Sequence, residues 1–475
     1  MKKSIAIVVA VVAVLLALPF LTGLRTESHI RQRISAMNDN PVVVADLADY
    51  DRGWFASSAR IELGLSPQYG AQLQSSGALL GSDLPALRLP VLIEITHGPL
   101  ALKDGVHFGM SKIVARSDPE VPLSSELREQ LGMPYLFELR GRAGFGGGFE
   151  FDADVPPVDY ADGSNEVAFS GLLVEGTLDG DRVVAQGSIE TFDYQSPLAS
   201  AAIQQFRMNT DYRLRPNDIA LGTGDVGIER IVVASPMLGT EPLFNATGLR
   251  FSSNVDLDEA ATLMRIVVNY GADTVAAGAN VTLTETDFGI ALEDLDAAAM
   301  QAYYATLQGF GGGAQPADPD AVLAELSAVL EQLLERGPSL TLDPIRFSMN
   351  GEPFSANVRV ATDPAALPGG ARNFLDPTLW LALASVNAEA DVSKVLAQSL
   401  AEQFVRQQLA AAGAAAGAPM PEDELDAMAA AQAGLMLVAL SGQGFLEDAG
   451  ESYTATLQFT SGELTVNGTS VPLGL

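Results

Sequence analysis

The feature that most constrains this chain is a two-residue alternation of apolar and polar side chains, which recurs in several separate segments. Within residues 352–362, the apolar members of the alternation are Phe354, Ala356, Val358 and Val360. Half-apolar strands of this kind are typical of antiparallel sheets with one covered face, not of buried parallel sheets. The pattern therefore predicts a mainly β protein with some α (α+β), built from long curved antiparallel sheets and a few amphipathic helices.

Turn residues separate the predicted strands. Residues 166–178 and 182–192 flank Asp179-Gly180, a dipeptide preferred in tight type I′ hairpins. A further strand is predicted to place Trp380, Ala382 and the alternate residues up to Ala390 on one face. The tail turns at Ser461-Gly462, and its two strands share an apolar face made of Tyr453, Ala455, Leu457, Phe459, Leu464 and Val466. We expect this hairpin to complete a larger sheet, because an isolated hairpin is only marginally stable in water.

Three helices are predicted from apolar stripes and their end signals. Asp318 and Pro319 begin the first helix, and Gly337 and Pro338 end it. The third helix is predicted near Glu422–Leu440. The second runs from about Ser393 to Ala412, with its inward side predicted to consist of Val395, Leu396, Leu400, Phe404 and Leu409. We expect all three stripes to pack against a sheet.

The N-terminus carries a membrane-length apolar run. Lys2 and Lys3 precede the uncharged 21-residue segment Ser4–Leu24. As a helix this segment spans about 30 Å, the thickness of a bilayer's hydrocarbon core. A cleaved signal peptide is the alternative, but its apolar core is usually shorter, and Leu21 is too large for the −3 position of a cut after Gly23. The run predicts a retained signal anchor, and Lys2 and Lys3 predict export of the rest of the chain.

The expected organisation has four parts. Residues 1–24 form the transmembrane anchor, residues 25–49 a polar helical neck, residues 50–215 a β-rich first half, and residues 216–475 a second half with strands and the three helices. One sheet continuous between the two halves stays an alternative to two separate bodies.

Composition excludes several classes of function. The chain has 59 acidic against 27 basic residues, a net charge of −32, and this acidity argues against nucleic-acid binding. It has no cysteine, which excludes disulfides, thiol catalysis and zinc–thiolate or iron–sulfur sites. Its three histidines, His29, His97 and His107, leave little material for histidine-based metal or acid–base sites.

No motif assigns a catalytic, cofactor or metal residue, and no cofactor is expected. Gly222–Gly227 matches GxGxxG, but the residues after it favour a strand where a dinucleotide site needs a helix, so a loop between strands is expected. His97 is expected to cap a turn or to pack. An acidic cluster gives no EF-hand pattern, because Pro156 occupies a ligand position. A solvated loop is the expectation for it and an irregular calcium site stays the alternative; the cluster consists of Asp152, Asp154, Asp159 and Asp162.

Four segments in this order carry a family resemblance: residues 50–59 (YDRGWFASSA), 97–100 (HGPL), 192–197 (FDYQSP) and 462–468 (GELTVNG). Together with the N-terminal anchor, they make the chain similar to the YdgA-like family of Gram-negative bacteria, a domain of unknown function. The resemblance implies a single-pass inner-membrane protein with a large body in the periplasm. It supplies no catalytic residues. Trp54 and Phe55, in its most specific segment, are expected to be buried anchors at the start of the first sheet.

The expected function is non-enzymatic. A membrane-tethered, β-rich body without catalytic signatures favours a binding or envelope-maintenance module, with a lipid or an envelope protein as partner. An extracytoplasmic hydrolase that uses unrecognised carboxylates is the alternative. A spacer or homo-oligomerisation module also stays open. An apolar trough would favour the binding module, and a closed pocket with two carboxylates about 5–10 Å apart would favour the hydrolase.

Overall fold

The structure is a computed structural model of the chain. It describes residues 31, 34, 35, 38, 43–66, 88–97, 100–101, 107–118, 128–129, 131–214, 219–237, 239, 241–278, 281–311, 319–367, 374, 376–415 and 420–472. The predicted anchor Met1–Leu24 lies outside these residues and stays a prediction. Among the described residues, one helix, Glu422–Gly442, is long and apolar enough to cross a membrane, which by length and composition alone is weak evidence.

Strands dominate the described part of the chain. The strands are β1 (Val43–Arg52), β2 (Ala56–Leu65), β3 (Arg88–His97), β4 (Leu100–Ala101), β5 (His107–Phe108), β6 (Ser111–Ser117), β7 (Glu138–Ala143), β8 (Phe149–Val155), β9 (Val158–Ala161), β10 (Glu166–Phe169), β11 (Leu172–Asp179), β12 (Arg182–Gln195), β13 (Ser200–Leu214), β14 (Ala220–Ala234), β15 (Phe244–Leu257), β16 (Leu263–Ala277), β17 (Val281–Asp296), β18 (Ser339–Met349), β19 (Glu352–Thr362), β20 (Ala384–Ser393), β21 (Glu447–Asp448), β22 (Ser452–Thr460), β23 (Glu463–Val466) and β24 (Thr469–Val471). The α-helices are α1 (Ala297–Gly311), α2 (Pro319–Leu334), α3 (Pro377–Leu383), α4 (Lys394–Ala415) and α5 (Glu422–Gly442). The predicted mainly β class with antiparallel sheets is confirmed.

The chain divides into two compact units. Unit 1 takes residues 1–226, 236–238 and 301–326, and unit 2 takes residues 227–235, 239–300 and 327–475. The predicted boundary at residues 215–216 lies outside the described residues. Strand β1 begins at Val43, inside the segment predicted as a helical neck, and the described residues Arg31, Ile34, Ser35 and Asn38 before it are helical.

In unit 1, antiparallel pairing joins β1, β2, β3, β6, β7, β8, β11, β12 and β13 in that spatial order, and β10 pairs with both β9 and β12. Directly paired residues share a face of the sheet. One such row runs through Ile95, Ile113, Gly141, Phe151 and Gly176. The adjacent row, on the opposite face, runs through Glu94, Val114, Arg140, Asp152 and Glu175. Unit 1 thus has an apolar face and a charged face.

Two glycines on the apolar face make room for aromatic rings. A Cβ on Gly141 would lie 2.2 Å from the Phe149 ring, and one on Gly176 would lie 2.6 Å from the Phe151 ring. The rings of Phe149 and Phe151 stack with their centroids 6.2 Å apart. Larger side chains at either glycine would displace these rings, so the glycines allow the apolar face to pack closely.

In unit 2, antiparallel pairing joins β15, β16, β17, β18, β19, β20, β22, β23 and β24, and β21 also pairs with β22. The predicted face of β19 is confirmed, because Phe354 and Val358 pair with the apolar residues Val392 and Ala388. The predicted C-terminal hairpin is confirmed as well, since β22 pairs with β23 and joins the sheet through β20.

Two sequence expectations about helices are wrong. Trp380 and Ala382 lie in α3, not in a strand, and Asp376 caps that helix by accepting a hydrogen bond from the Thr378 N–H. The predicted inward side of α4 is also wrong in part: Leu396 is buried, but Val395, Leu400 and Phe404 are exposed. Helices α4 and α5 instead pack through a cluster of mostly small side chains, namely Ala397, Ala401, Val405, Ala429, Ala433 and Leu437. Alanines let the two helix backbones approach closely, which bulky residues would prevent.

Candidate functional site

The residues that the structure describes do not fully cover the apolar face of unit 1 along four neighbouring strands. Its apolar side chains there, most of which are large, are all half-buried. We call this surface the open apolar face. It consists of Phe149, Phe151, Ala153 and Val155 of β8, Leu172, Val174 and Leu178 of β11, Val183, Ala185 and Ile189 of β12, and Phe206, Met208 and Tyr212 of β13.

The same face is covered at its other end, along β1, β2 and β3. Ala45, Ile61 and Ile95 are buried there, and Ile34 from the N-terminal helical residues packs with Ala45 and Ile61. Asn38 fixes this cover, because its side-chain amide donates to the Ala45 carbonyl over 2.8 Å and accepts from the Ala45 N–H over 2.7 Å. We call this part the covered apolar face.

The apolar face of unit 2 is half-buried in the same way. Aromatic rings follow one another across β15, β16 and β17, with centroid distances of 5.2 Å from Phe251 to Tyr270 and 6.4 Å from Tyr270 to Phe288. Tyr270 in the middle of this row is exposed. Phe347 and Phe354 stack with their centroids 4.8 Å apart on the next two strands. Each unit therefore presents apolar surface that its own described residues do not bury.

A cavity of about 610 Å³ lies on the charged face of unit 1. Its polar side chains are largely paired with one another. Arg140 donates to Glu138 over 2.6 Å and to Asp152 over 3.3 Å. Arg182 donates two hydrogen bonds to the Asp211 carboxylate, over 2.8 and 2.6 Å, and these bonds lower the pKa of the Asp211 carboxyl.

Two more contacts show how the carboxylates of this face are used. Tyr135 donates to Asp154 over 2.7 Å, and this bond, with burial, raises the pKa of Tyr135 to about 12. Glu175 accepts a hydrogen bond from Gln186 over 3.2 Å. Surface pairs of this kind stabilise a solvated sheet face by small amounts, and they occupy the carboxylates that an acid–base mechanism would need.

Unit 2 carries a smaller cavity of about 460 Å³, also on its polar face. It is lined by Arg346, Asn357, Glu389 and Asp391, among others, and Asn357 donates to Glu389 over 3.4 Å. These two cavities therefore lie on the polar faces of their units and not on the apolar faces.

His97, one of the three histidines, is a packing residue. It is 1 % exposed, and its Nε2 atom lies 2.7 Å from the Ser57 hydroxyl oxygen. Burial lowers the pKa of His97 below its usual value. Within the described part of the chain its Nδ1 atom has no hydrogen-bond partner. Because His97 and Ser57 are both buried, this Ser–His pair is closed to a substrate.

The structure separates the four acids of the predicted cluster. Asp152 and Asp154 lie on β8, Asp159 lies on β9, and Asp162 lies in the following turn. Asp162 accepts backbone N–H bonds from Asn165 and Ser164, and these bonds lower its pKa. No group of three metal-ligating side chains occurs among the described residues. The calcium alternative therefore gains no support from the geometry.

Gly222–Gly227 lies inside strand β14, so it is neither the expected loop nor the start of a nucleotide-binding helix. A Cβ on Gly222 would lie 2.0 Å from the Asp211 carbonyl oxygen, which explains this glycine by close strand approach. The GxGxxG match is a property of a strand.

Trp54 and Phe55 are not buried anchors, which corrects the sequence expectation. Each is 52 % exposed in the tight turn between β1 and β2. Phe145, in the Gly144–Gly148 turn between β7 and β8, is 62 % exposed. Sequence reasoning missed this group because it took large aromatics as core residues. Their position beside glycines, in turns beyond the ends of the strands, was the available indication.

Comparison with known proteins gives one result. No curated protein matches the chain, and no solved structure does. One family model matches residues 1–474, and its description is "Bacterial protein of unknown function (DUF945)". Because that match covers nearly the whole chain, the protein belongs to this family of bacterial proteins of unknown function.

Proposed function

We propose that the protein is a non-enzymatic binding module of the Gram-negative envelope, anchored in the inner membrane, which holds an apolar ligand on the open apolar face of its periplasmic body. The acyl chains of an envelope lipid are the ligand class that fits this surface best. The observation that carries the proposal is the run of half-buried apolar side chains across β8, β11, β12 and β13.

The energetics favour a ligand on this face. Exposed apolar patches beyond a few hundred Å² usually mark an interaction surface or a ligand groove. Each methylene group transferred from water to such a surface contributes about 0.8 kcal/mol, so one acyl chain gains several kcal/mol. The face offers rings and branched side chains for this contact, including Phe151, Val174 and Met208.

The charged face supports a body that works in water. Arg140, Arg182 and their carboxylate partners lie on the opposite side of the same strands, and the chain carries a net charge of −32. This one-sided distribution keeps an apolar surface on a soluble body without general aggregation. The predicted anchor Ser4–Leu24 and the likeness to YdgA-like envelope proteins supply the proposed location in the inner membrane and periplasm.

The alternative of an extracytoplasmic hydrolase has less support. Asp152 and Asp211 in the charged cavity each form an ion pair with an arginine, so neither carboxylate is free for a catalytic role. A glycoside hydrolase needs one carboxyl group that keeps its proton and a second that is ionised. A second copy of the chain on the open apolar face is an outcome that the experiment below distinguishes.

The test is native mass spectrometry of the full-length protein extracted from membranes. We expect bound lipid on the wild type, and loss of this lipid in Val174→Asn, which places a polar group on the open apolar face. Glu175→Gln, one residue along the same strand but on the charged face, should keep it. Wild-type protein without lipid, or equal lipid in both variants, would contradict the proposal. A dimer that dissociates only in Val174→Asn would favour self-association instead.

The anchor has a separate test. Replacing Leu15 and Leu16 with arginine places two charges in the middle of the apolar run, and each costs about 2.5–3.5 kcal/mol on insertion scales. We expect these variants to leave the membrane fraction. A wild-type protein whose mature N-terminus lies near residues 24–28 would show that the segment is cleaved.

A further inference from the structure

Three exposed aromatic side chains of unit 1, Trp54, Phe55 and Phe145, lie at one end of its sheet. Strand β3 ends and strand β6 begins at one end of this antiparallel sheet. The β1–β2 turn and the β7–β8 turn both lie at that same end. The strand register places the two turns side by side, because His97 pairs with Ser111 and Ser111 pairs with Ala143. We call Trp54, Phe55 and Phe145 the aromatic tip.

The backbone holds the aromatic tip in place. Gly53 donates to the Ala56 carbonyl over 2.8 Å, and His97 donates to the Phe55 carbonyl over 2.7 Å. In the second turn, Gly144 donates to the Gly148 carbonyl over 2.8 Å. The tip therefore presents three large rings on two hydrogen-bonded turns. Binding through such turns loses less conformational entropy than binding through a loose loop would.

The N-terminal chain can bring the tip to a bilayer. Asn38 forms hydrogen bonds with Ala45, and Ile34 packs against Ala45 and Ile61. Ile61 pairs with Leu47, which lies two residues closer to the aromatic tip than Ala45 does. From Leu47 to Arg52, the last residue of β1, there are five residue steps, or about 17 Å. Arg31 and Ile34 are helical, and the seven residue steps from Leu24 to Arg31 can span at most about 25 Å. This maximum exceeds the distance from Leu47 to the end of β1, so the end of the predicted anchor can lie at the level of the tip.

We infer that the aromatic tip rests in the interfacial layer of the same bilayer into which residues 4–24 insert, and so sets the orientation of unit 1 on the membrane. Tryptophan favours this layer because its ring is apolar but carries a polar N–H, and phenylalanine occurs on the apolar side of interfacial segments. The opposite end of β12 and β13 carries Leu198, an aliphatic residue that is 65 % exposed. The inference rests on the anchor of the proposed function.

The first experiment uses tryptophan fluorescence of the full-length protein in phosphatidylcholine–phosphatidylglycerol vesicles. The chain has two tryptophans, so Trp380→Phe leaves Trp54 as the only emitter. We expect a blue shift on reconstitution and quenching by lipids brominated near the top of the acyl chain. The matched variant Trp54→Phe leaves Trp380, which is half-buried and donates to the Phe374 carbonyl over 2.9 Å, and its emission should be unaffected.

The second experiment exploits the absence of cysteine in the chain. Phe145→Cys and Leu198→Cys each create a single site for a polarity-sensitive dye at opposite ends of the sheet. We expect brominated lipid to quench the dye at position 145 and not at position 198.

The outcomes separate this inference from the anchor on which it rests. Protein that floats with the vesicles while Trp54 and the dye at position 145 stay unquenched would overturn the membrane contact and keep the anchor. Protein that does not float with the vesicles would overturn both. Equal quenching at positions 145 and 198 would show a body without a fixed orientation, and would also overturn the inference.

Discussion

The covered and the open apolar faces of unit 1 are built from the same kind of strand but differ in what lies over them. On β2 and β3, Ile61 and Ile95 are buried, and Ile34 of the N-terminal helical residues packs over the sheet at Ile61. On β11 and β12, Val174 and Val183 occupy equivalent positions in the alternation and remain half-buried. The difference teaches that an alternating sequence fixes which face is apolar but not whether that face is part of a core.

The open region must therefore depend more on strand pairing than on a buried core. Its backbone ladder is continuous from β8 through β11 and β12 to β13. The same holds in unit 2, where β20 pairs with β19 and β22. This reasoning makes removal of a pairing strand the most damaging change and removal of a single half-buried side chain a mild one.

The largest expected effect is that of deleting residues 452–475, which removes β22, β23 and β24. The deletion leaves β20 as an unpaired edge and uncovers the helix surface against which Tyr453 packs. We expect the truncated protein to be insoluble or degraded, as measured by its yield in the detergent-soluble fraction. A truncated protein with wild-type yield and melting temperature would show that pairing at this edge does not hold unit 2 together.

The next largest effect is the difference in stability loss between substitutions on the covered and on the open apolar face. Ile95→Ala should reduce the free energy of unfolding by about 2–5 kcal/mol, since the residue is 1 % exposed. Val174→Ala on the open face should cost about 1 kcal/mol or less. Denaturant titration of the full-length protein in detergent measures both, with Glu94→Ala on the charged face as control. Equal losses for Ile95→Ala and Val174→Ala would remove the distinction between covered and open faces.

The helix pair α4 and α5 of unit 2 offers a second comparison between a buried and an exposed position. Ala433 is fully buried between α5 and α4, while Leu435 on the same helix is exposed. Ala433→Leu should push the two helices apart and cost about 1–3 kcal/mol, whereas Leu435→Ala should stay within about 0.5 kcal/mol. Thermal unfolding distinguishes them. A larger loss for Leu435→Ala would mean that its apolar side chain has a packing partner.

These cases show what the sequence could predict. The strand faces followed from alternation, as at Phe354 and Val358, and α2 followed from Pro319 and Gly337 at its ends. Burial was harder, because it depends on a neighbour elsewhere in the chain. The choice of Leu400 and Phe404 as the inward side of α4 failed because close helix packing selected the alanines.

Local capping could have corrected one error. Asp376 followed by Pro377 is a helix-start pattern, and it marks α3 where a strand through Trp380 was expected. No such local rule reveals the open apolar face or the paired carboxylates around Arg140, since both arise from strands far apart in sequence. The candidate site therefore required the structure.

A smaller effect is expected from pH, through the covered face. Burial lowers the pKa of His97 in the folded protein, whereas in the unfolded chain it titrates near 6.5. The stability from neutral His97 is therefore complete above about pH 6.5 and is lost as the pH falls below that value toward the folded pKa. When the pH is lowered from about 7.5 to 5.5, the melting temperature of His97→Asn should fall less than that of the wild type. Identical losses would show that His97 does not contribute to acid sensitivity.

The smallest effect on stability is expected at the aromatic tip, where the covered face ends. Because Trp54 is 52 % exposed, Trp54→Ala should change the free energy of unfolding by less than about 1 kcal/mol. A buried tryptophan would cost about 3–5 kcal/mol, so denaturant titration separates a core role from a surface role. Phe55→Ala and Phe145→Ala should behave in the same way. A loss above about 3 kcal/mol for Trp54→Ala alone would mean that the ring supports the β1–β2 turn, and the tip would then owe its aromatics to folding and not to contact with a membrane.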